Sequence, residues 1–270
     1  MERIMKTLSQ FSSFESIILD ENKENSWFVK EYWPANRPRL IKIVEILQDY
    51  IGNKSSNNFL VADIGCGCGY MSRFFKRMGF SVVGVDGYLE PSRDELFQIE
   101  GIRFHLSNFN QDDSLLAIKD QEADIVVCGE VLEHILHHPA GFLSELARIC
   151  RQGGLCVLTT PNPATLMNAV RMLFGTYSMW GTAEFVNLRK YYQGNPINHP
   201  GIHYREFLPK QLAEMMRNAG FKIVAQEYIG AGSNQFDSLL KRTIKRIPGV
   251  HSLMKTRIMG SGQIIIAQKL

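Results

Sequence analysis

The hydrophobic and polar positions change period along the chain. From Arg39 to Tyr50, apolar Leu40, Ile41, Ile43, Val44 and Leu47 recur at helical spacing. After a loop over Gly52 to Asn58, short apolar runs take over. Phe59 to Ile64, Ser81 to Val85, Ile102 to Leu106, Ala123 to Cys128 and Leu155 to Thr160 predict five strands. The run over Ala123 to Cys128 is apolar almost throughout, as expected for a parallel strand covered on both faces. Tyr70 to Met78 reads as a helix. A second helix opens at Pro139, with Phe142, Leu143, Leu146 and Ile149 as its buried stripe and Gly153-Gly154 as its expected end. Leu208 to Asn218 predicts a further helix, with Leu212, Met215 and Met216 on one side and Gly220 just past its end. Phe221 to Tyr228 and Gln263 to Gln268 complete seven strands. Strands alternating with helices predict an α/β fold with a doubly wound, mostly parallel sheet.

Three stretches break this rhythm. Residues 1–37 read as irregular and polar, with an aromatic cluster at Trp27, Phe28, Tyr32 and Trp33 that is expected to act as a lid. Pro161 to Pro200 is rich in Gly, Pro, Asn and Tyr, with one short helix expected near Leu166 to Phe174. It follows the fifth strand, at the sheet edge where open α/β folds bind ligands. An insertion there is expected to cover the site, with Tyr191, Tyr192, His199 and Tyr204 offered to the second substrate. Phe236 to Gly260 sets Lys241, Arg242, Lys245, Arg246, Lys255 and Arg257 against one acid, Asp237. It reads as a solvated helix; peripheral membrane contact or an anionic substrate is the other use of such a segment. The expected organisation is an N-terminal lid over 1–57, a ligand-binding core over 58–161, an insertion over 162–202, and the rest of the core over 203–270.

Composition narrows the partners. At 270 residues and 45% hydrophobic content, the chain suits one elaborated domain with a full core. A net charge of +3 gives no electrostatic reason for a nucleic-acid partner. The N-terminus lacks the apolar core of a signal peptide, and no apolar run reaches the length of a membrane span. Cys66, Cys68, Cys128, Cys150 and Cys156 lack zinc-type spacing and read as reduced thiols, giving a cytoplasmic expectation.

The chemistry concentrates at Asp63-Ile-Gly65-Cys66-Gly67-Cys68-Gly69. Glycines at alternate positions bare the backbone to a ligand, and the following helix aims its free N–H groups at it. About twenty residues on, the second strand ends in Asp86, placed to accept from a ribose diol. A dinucleotide fingerprint has a different glycine spacing. Asp63 would also repel a pyrophosphate, whereas it suits a ligand carrying an ammonium group. A nicotinamide-dependent oxidoreductase is therefore a poor fit.

These residues resemble motif I of the class I S-adenosylmethionine (SAM) methyltransferases, and the likeness continues. Val85-Asp86 looks like motif II. Ala123-Asp-Ile-Val-Val-Cys-Gly-Glu-Val-Leu-Glu-His134 is similar to the segment after the fourth strand, and Arg151 to Asn162 to the fifth strand. The wording E-V-L-E-H, T-T-P-N and His203-Tyr-Arg-Glu-Phe is similar to a subgroup holding the ubiquinone-biosynthesis O-methyltransferases and bacterial enzymes that tailor glycans and natural products. The resemblance implies a Rossmann-like core and SAM as methyl donor, with S-adenosylhomocysteine as product. It implies donor contacts from Asp63, Gly65, Cys66, Gly67, Gly69, Asp86, Gly87, Asn108, Phe109, Gly129 and Glu130. Asn108 stands where the family usually has an acid, and its amide oxygen still accepts from an adenine amino group.

Methyl transfer to a hydroxyl also needs a base. Glu130, Glu133 and His134 are spaced to share one face of a helical turn. His134 is the first choice as base, because imidazole titrates near neutral pH, with Glu133 and His203 beside it. The expected reaction is O-methylation of a small molecule, sugar or lipid-linked glycan. Glu130, Glu133, His134 and His203 also resemble the metal set of small-RNA 2′-O-methyltransferases. Mg²⁺ or Mn²⁺ would suit those ligands, and a metal-dependent RNA methyltransferase is the first alternative. A SAM-binding scaffold without catalysis is the second.

Overall fold

The apolar runs assemble into one seven-stranded sheet. Its strands are β1 (Leu60–Ile64), β2 (Ser81–Asp86), β3 (Arg103–Leu106), β4 (Ala123–Gly129), β5 (Cys150–Pro161), β6 (Phe221–Ile229) and β7 (Gly262–Lys269). They lie in the order β3-β2-β1-β4-β5-β7-β6. The first five run parallel, and β7 is antiparallel to both β5 and β6. This computed structural model describes residues 2–109, 117–175, 203–230 and 256–270.

Strand order decides where a ligand can sit. From β1 the chain winds outward through β2 and β3, then returns to lay β4 on the other side of β1. Their loops therefore part at the carboxyl ends of β1 and β4, leaving a crevice. In register, Ile64 of β1 lies beside Cys128 of β4 and Val85 of β2. The glycine-rich loop, Asp86 and Gly129 thus open at the same sheet edge.

Helices cover both faces. α3 (Tyr70–Arg77), α4 (Pro91–Glu100), α5 (Pro139–Ile149), α6 (Leu166–Leu173) and α7 (Pro209–Asn218) follow the strands. One core layer packs Ala62, Ile64, Val126 and Cys128 against Leu143, Leu146, Leu212 and Met216. The other packs Val61, Ile125 and Val127 against Ile43, Leu47 and Phe75.

Two sequence expectations need correction. The first 37 residues are largely helical rather than irregular: α1 (Glu2–Glu21) and α2 (Trp33–Ile51) flank a π-helical turn, Phe28–Tyr32. In α1, Phe11, Phe14 and Ile18 bury one face against Phe74 and its neighbours, at a helical spacing that the intervening polar residues obscure. Pro34 sits in the first turn of α2, where a missing N–H costs little. Pro38 forfeits a helix bond, and burial of Leu40, Ile43, Val44, Leu47 and Ile51 offsets it. Secondly, β5 begins at Cys150, directly after α5, so Gly153-Gly154 lies inside the strand rather than ending the helix. A Cβ at Gly154 would meet the backbone oxygens of Arg151 and Asp124, which explains glycine at this register shift.

Arg73 of α3 fastens the N-terminal helix to the core. It is 2% exposed, and its two terminal nitrogens donate to Glu21 at 2.8 and 3.0 Å while Nε donates to Glu100 at 3.0 Å.

Candidate active site

A cavity of about 1160 Å³ opens at the carboxyl ends of β1, β2 and β4. Its floor is the glycine-rich loop. Gly65, Gly67 and Gly69 all have positive φ, at 73°, 55° and 78°. A Cβ at Gly65 would run into Val131 and one at Gly69 into Phe97. At Gly67 the nearest atom is the Tyr88 hydroxyl at 4.0 Å, so this backbone lies open to the cavity.

Two carboxylates flank the loop. Asp63, at the tip of β1, accepts from the Ser72 hydroxyl at 2.6 Å. Burial is the main cause that raises its pKa, to about 6, and the nearby Asp86 charge adds to the rise. Asp86, at the end of β2, accepts from the Gly67 N–H at 2.7 Å. Burial raises its pKa too, while the Gly67 N–H and the Arg93 cation pull it down.

Arg39, on α2, is a cavity residue that motif reading missed. Its Nη1 lies 3.1 Å from Glu130 Oε1, and its Nε is buried without a hydrogen-bond partner. Burial lowers its pKa, and the charges of Glu133 and Asp63 oppose the fall. Helical periodicity assigns such an arginine to an exposed face; only the docking of α2 over the crevice turns it inward. Phe28, Tyr32, Trp33 and Tyr70 form an aromatic wall, with Phe28 and Tyr70 ring centres 5.2 Å apart.

The segment after β4 differs from the single-faced helical turn expected for it. Glu130 has φ 58° and precedes a short 3₁₀ turn, Leu132–His134. It therefore points away from Glu133, accepting from Thr159 at 2.9 Å and pairing with Arg39. Glu133 is fully buried. Its Oε2 accepts from Thr160 at 2.9 Å, its Oε1 has no partner, and burial raises its pKa to about 7. Its backbone carbonyl accepts from the Tyr204 N–H at 2.7 Å, which ties the 203–207 segment to this turn. His134 lines the cavity, and His203 packs edge-on against it with ring centres 4.9 Å apart.

The cavity wall includes Asp63, Gly65, Cys66, Gly67, Asp86, Gly87, Phe109, Gly129, Glu130, His134 and Tyr204. Gly69 caps α3 behind it, and Asn108, Glu133 and His203 do not line it. Tyr191, Tyr192 and His199 lie outside the described residues, as does most of the basic segment. Among the described residues, Glu133, His134 and His203 bring ligand atoms within 4.8 Å of one another, a grouping that does not include Glu130.

The match to a known domain decides the family. A family model described as "Methyltransferase domain" matches residues 32–226. The chain belongs to this methyltransferase family. Ubiquinone biosynthesis O-methyltransferase from Xanthomonas oryzae pv. oryzae is 26% identical over 202 residues, covering 71% of this chain and 76% of the relative. The protein of the same name from Aeromonas salmonicida is 33% identical over 160 residues, 57% and 62% of the two chains. Solved structures share the fold. A SAM-dependent methyltransferase from Thermotoga maritima, described as a possible histamine N-methyltransferase, superposes with TM-score 0.53 at 15% identity, over 92% of this chain and 96% of its own. The Burkholderia thailandensis 1,6-didemethyltoxoflavin-N1-methyltransferase, solved with S-adenosylhomocysteine, gives 0.53 at 17% identity, over 97% and 89%. The protein is thus a SAM-dependent methyltransferase of the class I, Rossmann-like type. Among the methyltransferase's described residues, no helix is long and apolar enough to cross a membrane.

The cavity has the groups this donor requires. It offers acidic acceptors at Asp63 and Asp86, the Arg39 guanidinium in its wall, and open backbone at Gly67.

Proposed function

We propose that this methyltransferase O-methylates a small molecule, a sugar or a lipid-linked glycan, with His134 as general base. The observation that carries the reading is His134 on the cavity wall, backed by His203 and by the buried Glu133 turn. Bound SAM supplies an activated methyl group on a sulfonium. The chain then has to hold a hydroxyl in line with that methyl and remove its proton, two effects that placement and a positioned base provide. Names of relatives such as the Xanthomonas oryzae O-methyltransferase support oxygen as the acceptor atom.

Donor roles follow from charge and position. Asp86 accepts from the ribose, Asp63 accepts from the donor's ammonium, and Arg39 takes its carboxylate. Gly65, Cys66, Gly67 and Gly87 present backbone, and Gly69 supports the loop from behind. Phe109, with Asn108 beside it, and Gly129 complete the adenosine side, while Glu130, paired with Arg39, lies toward the amino-acid end.

Asp63 makes donor affinity depend on pH. Its pKa in the free protein is raised to about 6, and an ammonium partner stabilises the ionised form. Affinity is therefore full above pH 6 and declines as the pH falls through it. Calorimetric titration of SAM at pH 5 and pH 7.5 checks this, and Asp63→Asn should flatten the difference. An equal difference in the variant rejects Asp63 as the ammonium partner.

A second reading is favoured by the convergence of Glu133, His134 and His203. Carboxylate and imidazole donors suit Mg²⁺ or Mn²⁺ holding the acceptor's oxygens. The experiment that separates the readings transfers radiolabelled methyl from SAM into cell extract, with chelator or with added Mn²⁺. Chelator-insensitive label in small-molecule or organic-soluble products supports the base reading. Metal-dependent label in such products favours the metal reading, and metal-dependent label released by ribonuclease favours an RNA 2′-O-methyltransferase. SAM binding without any transfer favours a scaffold.

A further inference from the structure

We infer that Arg93 is a positioning residue that pre-sets the donor loop. This rests on the assignment of Gly67 and Asp86 to the donor site. Arg93 lies in the first turn of α4, is 1% exposed, and stacks its guanidinium over Phe104 at 4.0 Å from the ring centre. All three guanidinium nitrogens are engaged. Nη1 donates to the Gly67 carbonyl at 2.9 Å, Nη2 to the Tyr88 carbonyl at 2.9 Å, and Nε to Asp94 at 2.8 Å.

These contacts join two loops from different strands. Gly67 belongs to the loop after β1, and Tyr88 to the loop after β2; Asp86 lies between them. Gly67 is held on both sides, its N–H by Asp86 and its carbonyl by Arg93. Glycine is the residue freest to rotate, and Gly67 is open on its cavity side. The Arg93 fork removes that freedom before any ligand arrives, and its charge steadies the Asp86 carboxylate. Lysine keeps the charge but lacks a planar fork that reaches two carbonyls at once.

The position of these contacts gives a specific signature. Arg93 acts on the nucleoside side of the donor, and Arg39 on its amino-acid side. Calorimetry with S-adenosylhomocysteine and with 5′-methylthioadenosine, which lacks the amino-acid end, separates them. Arg93→Lys should weaken both ligands by a similar factor, about tenfold or more for lost charge-assisted bonds. Arg39→Gln should weaken S-adenosylhomocysteine alone. Wild-type affinity of Arg93→Lys for both ligands, or loss confined to S-adenosylhomocysteine, overturns the proposal. Asp86→Ala is the control. If it loses both ligands while Arg93→Lys loses neither, the donor site stands and only Arg93's role falls. If Asp86→Ala binds both normally, the donor assignment fails and takes the proposal with it. Hydrogen exchange on the wild-type protein needs no stable variant. Protection of residues 65–70 and 87–90 before ligand is added supports a pre-set loop, and protection acquired only with S-adenosylhomocysteine overturns it.

Discussion

His134→Ala is expected to lower the methyl-transfer rate by about 10²–10⁴-fold while leaving SAM affinity within about twofold of wild type. The imidazole lies on the cavity wall in the turn after β4, whereas Asp63 and Asp86, assigned to the donor's ammonium and ribose, sit on β1 and β2. Its loss should therefore be felt in the rate and spare donor binding. The companion variants divide the two catalytic readings. If His134 acts as a base, His203→Ala and Glu133→Gln disturb only its surroundings and cost less than His134→Ala. If the three side chains hold a metal, each variant costs about as much as the others, and each removes any response to Mn²⁺. Full activity in His134→Ala sinks both readings. Single-turnover rates at saturating SAM, with and without chelator, are the measurement.

Asp86→Ala is expected to weaken SAM binding by about a hundredfold or more. Two effects act together. A charged acceptor for the ribose is lost, and hydrogen bonds to a charged group are each worth about 1.5–3 kcal/mol. The Gly67 N–H also loses its anchor at 2.7 Å, so the loop beneath the ligand loosens. Asp86→Asn keeps an acceptor oxygen in place and should fall between the two. Unchanged affinity of Asp86→Ala in calorimetry would remove the donor site from this end of β2.

The glycine-loop end of the cavity could be read along the chain because its residues are local. Asp63 to Gly69 is one strand tip and one turn, and Asp86 ends the very next strand. Strand identity was equally legible, since apolar runs such as Ala123 to Cys128 are long enough to exceed the noise of loops. The N-terminal helix was not: among its described side chains Phe11, Phe14 and Ile18 carry it, and charged and hydroxyl residues interrupt the apolar ones along the segment.

The candidate catalytic cluster shows the limit more sharply. Spacing places Glu130, Glu133 and His134 on one helical face. The positive φ of Glu130 and the 3₁₀ turn after it send Glu130 to Arg39, and leave Glu133 and His134 to meet His203. Backbone conformation at one residue, set by packing, overrides a periodicity argument. Arg39, Arg73 and Arg93 make the same point through charge. A lone arginine in a helix reads as surface, and its burial depends on carboxylates and carbonyls far away in the chain. By itself, then, the sequence determined the sheet, the glycine loop and the donor's chemical class, because each is written in neighbouring residues. The tertiary structure alone decided which buried cations hold the loop, which carboxylate faces the cavity and which stays beneath it. Those outcomes depend on long-range burial, where the cost of an unpaired charge selects the partner.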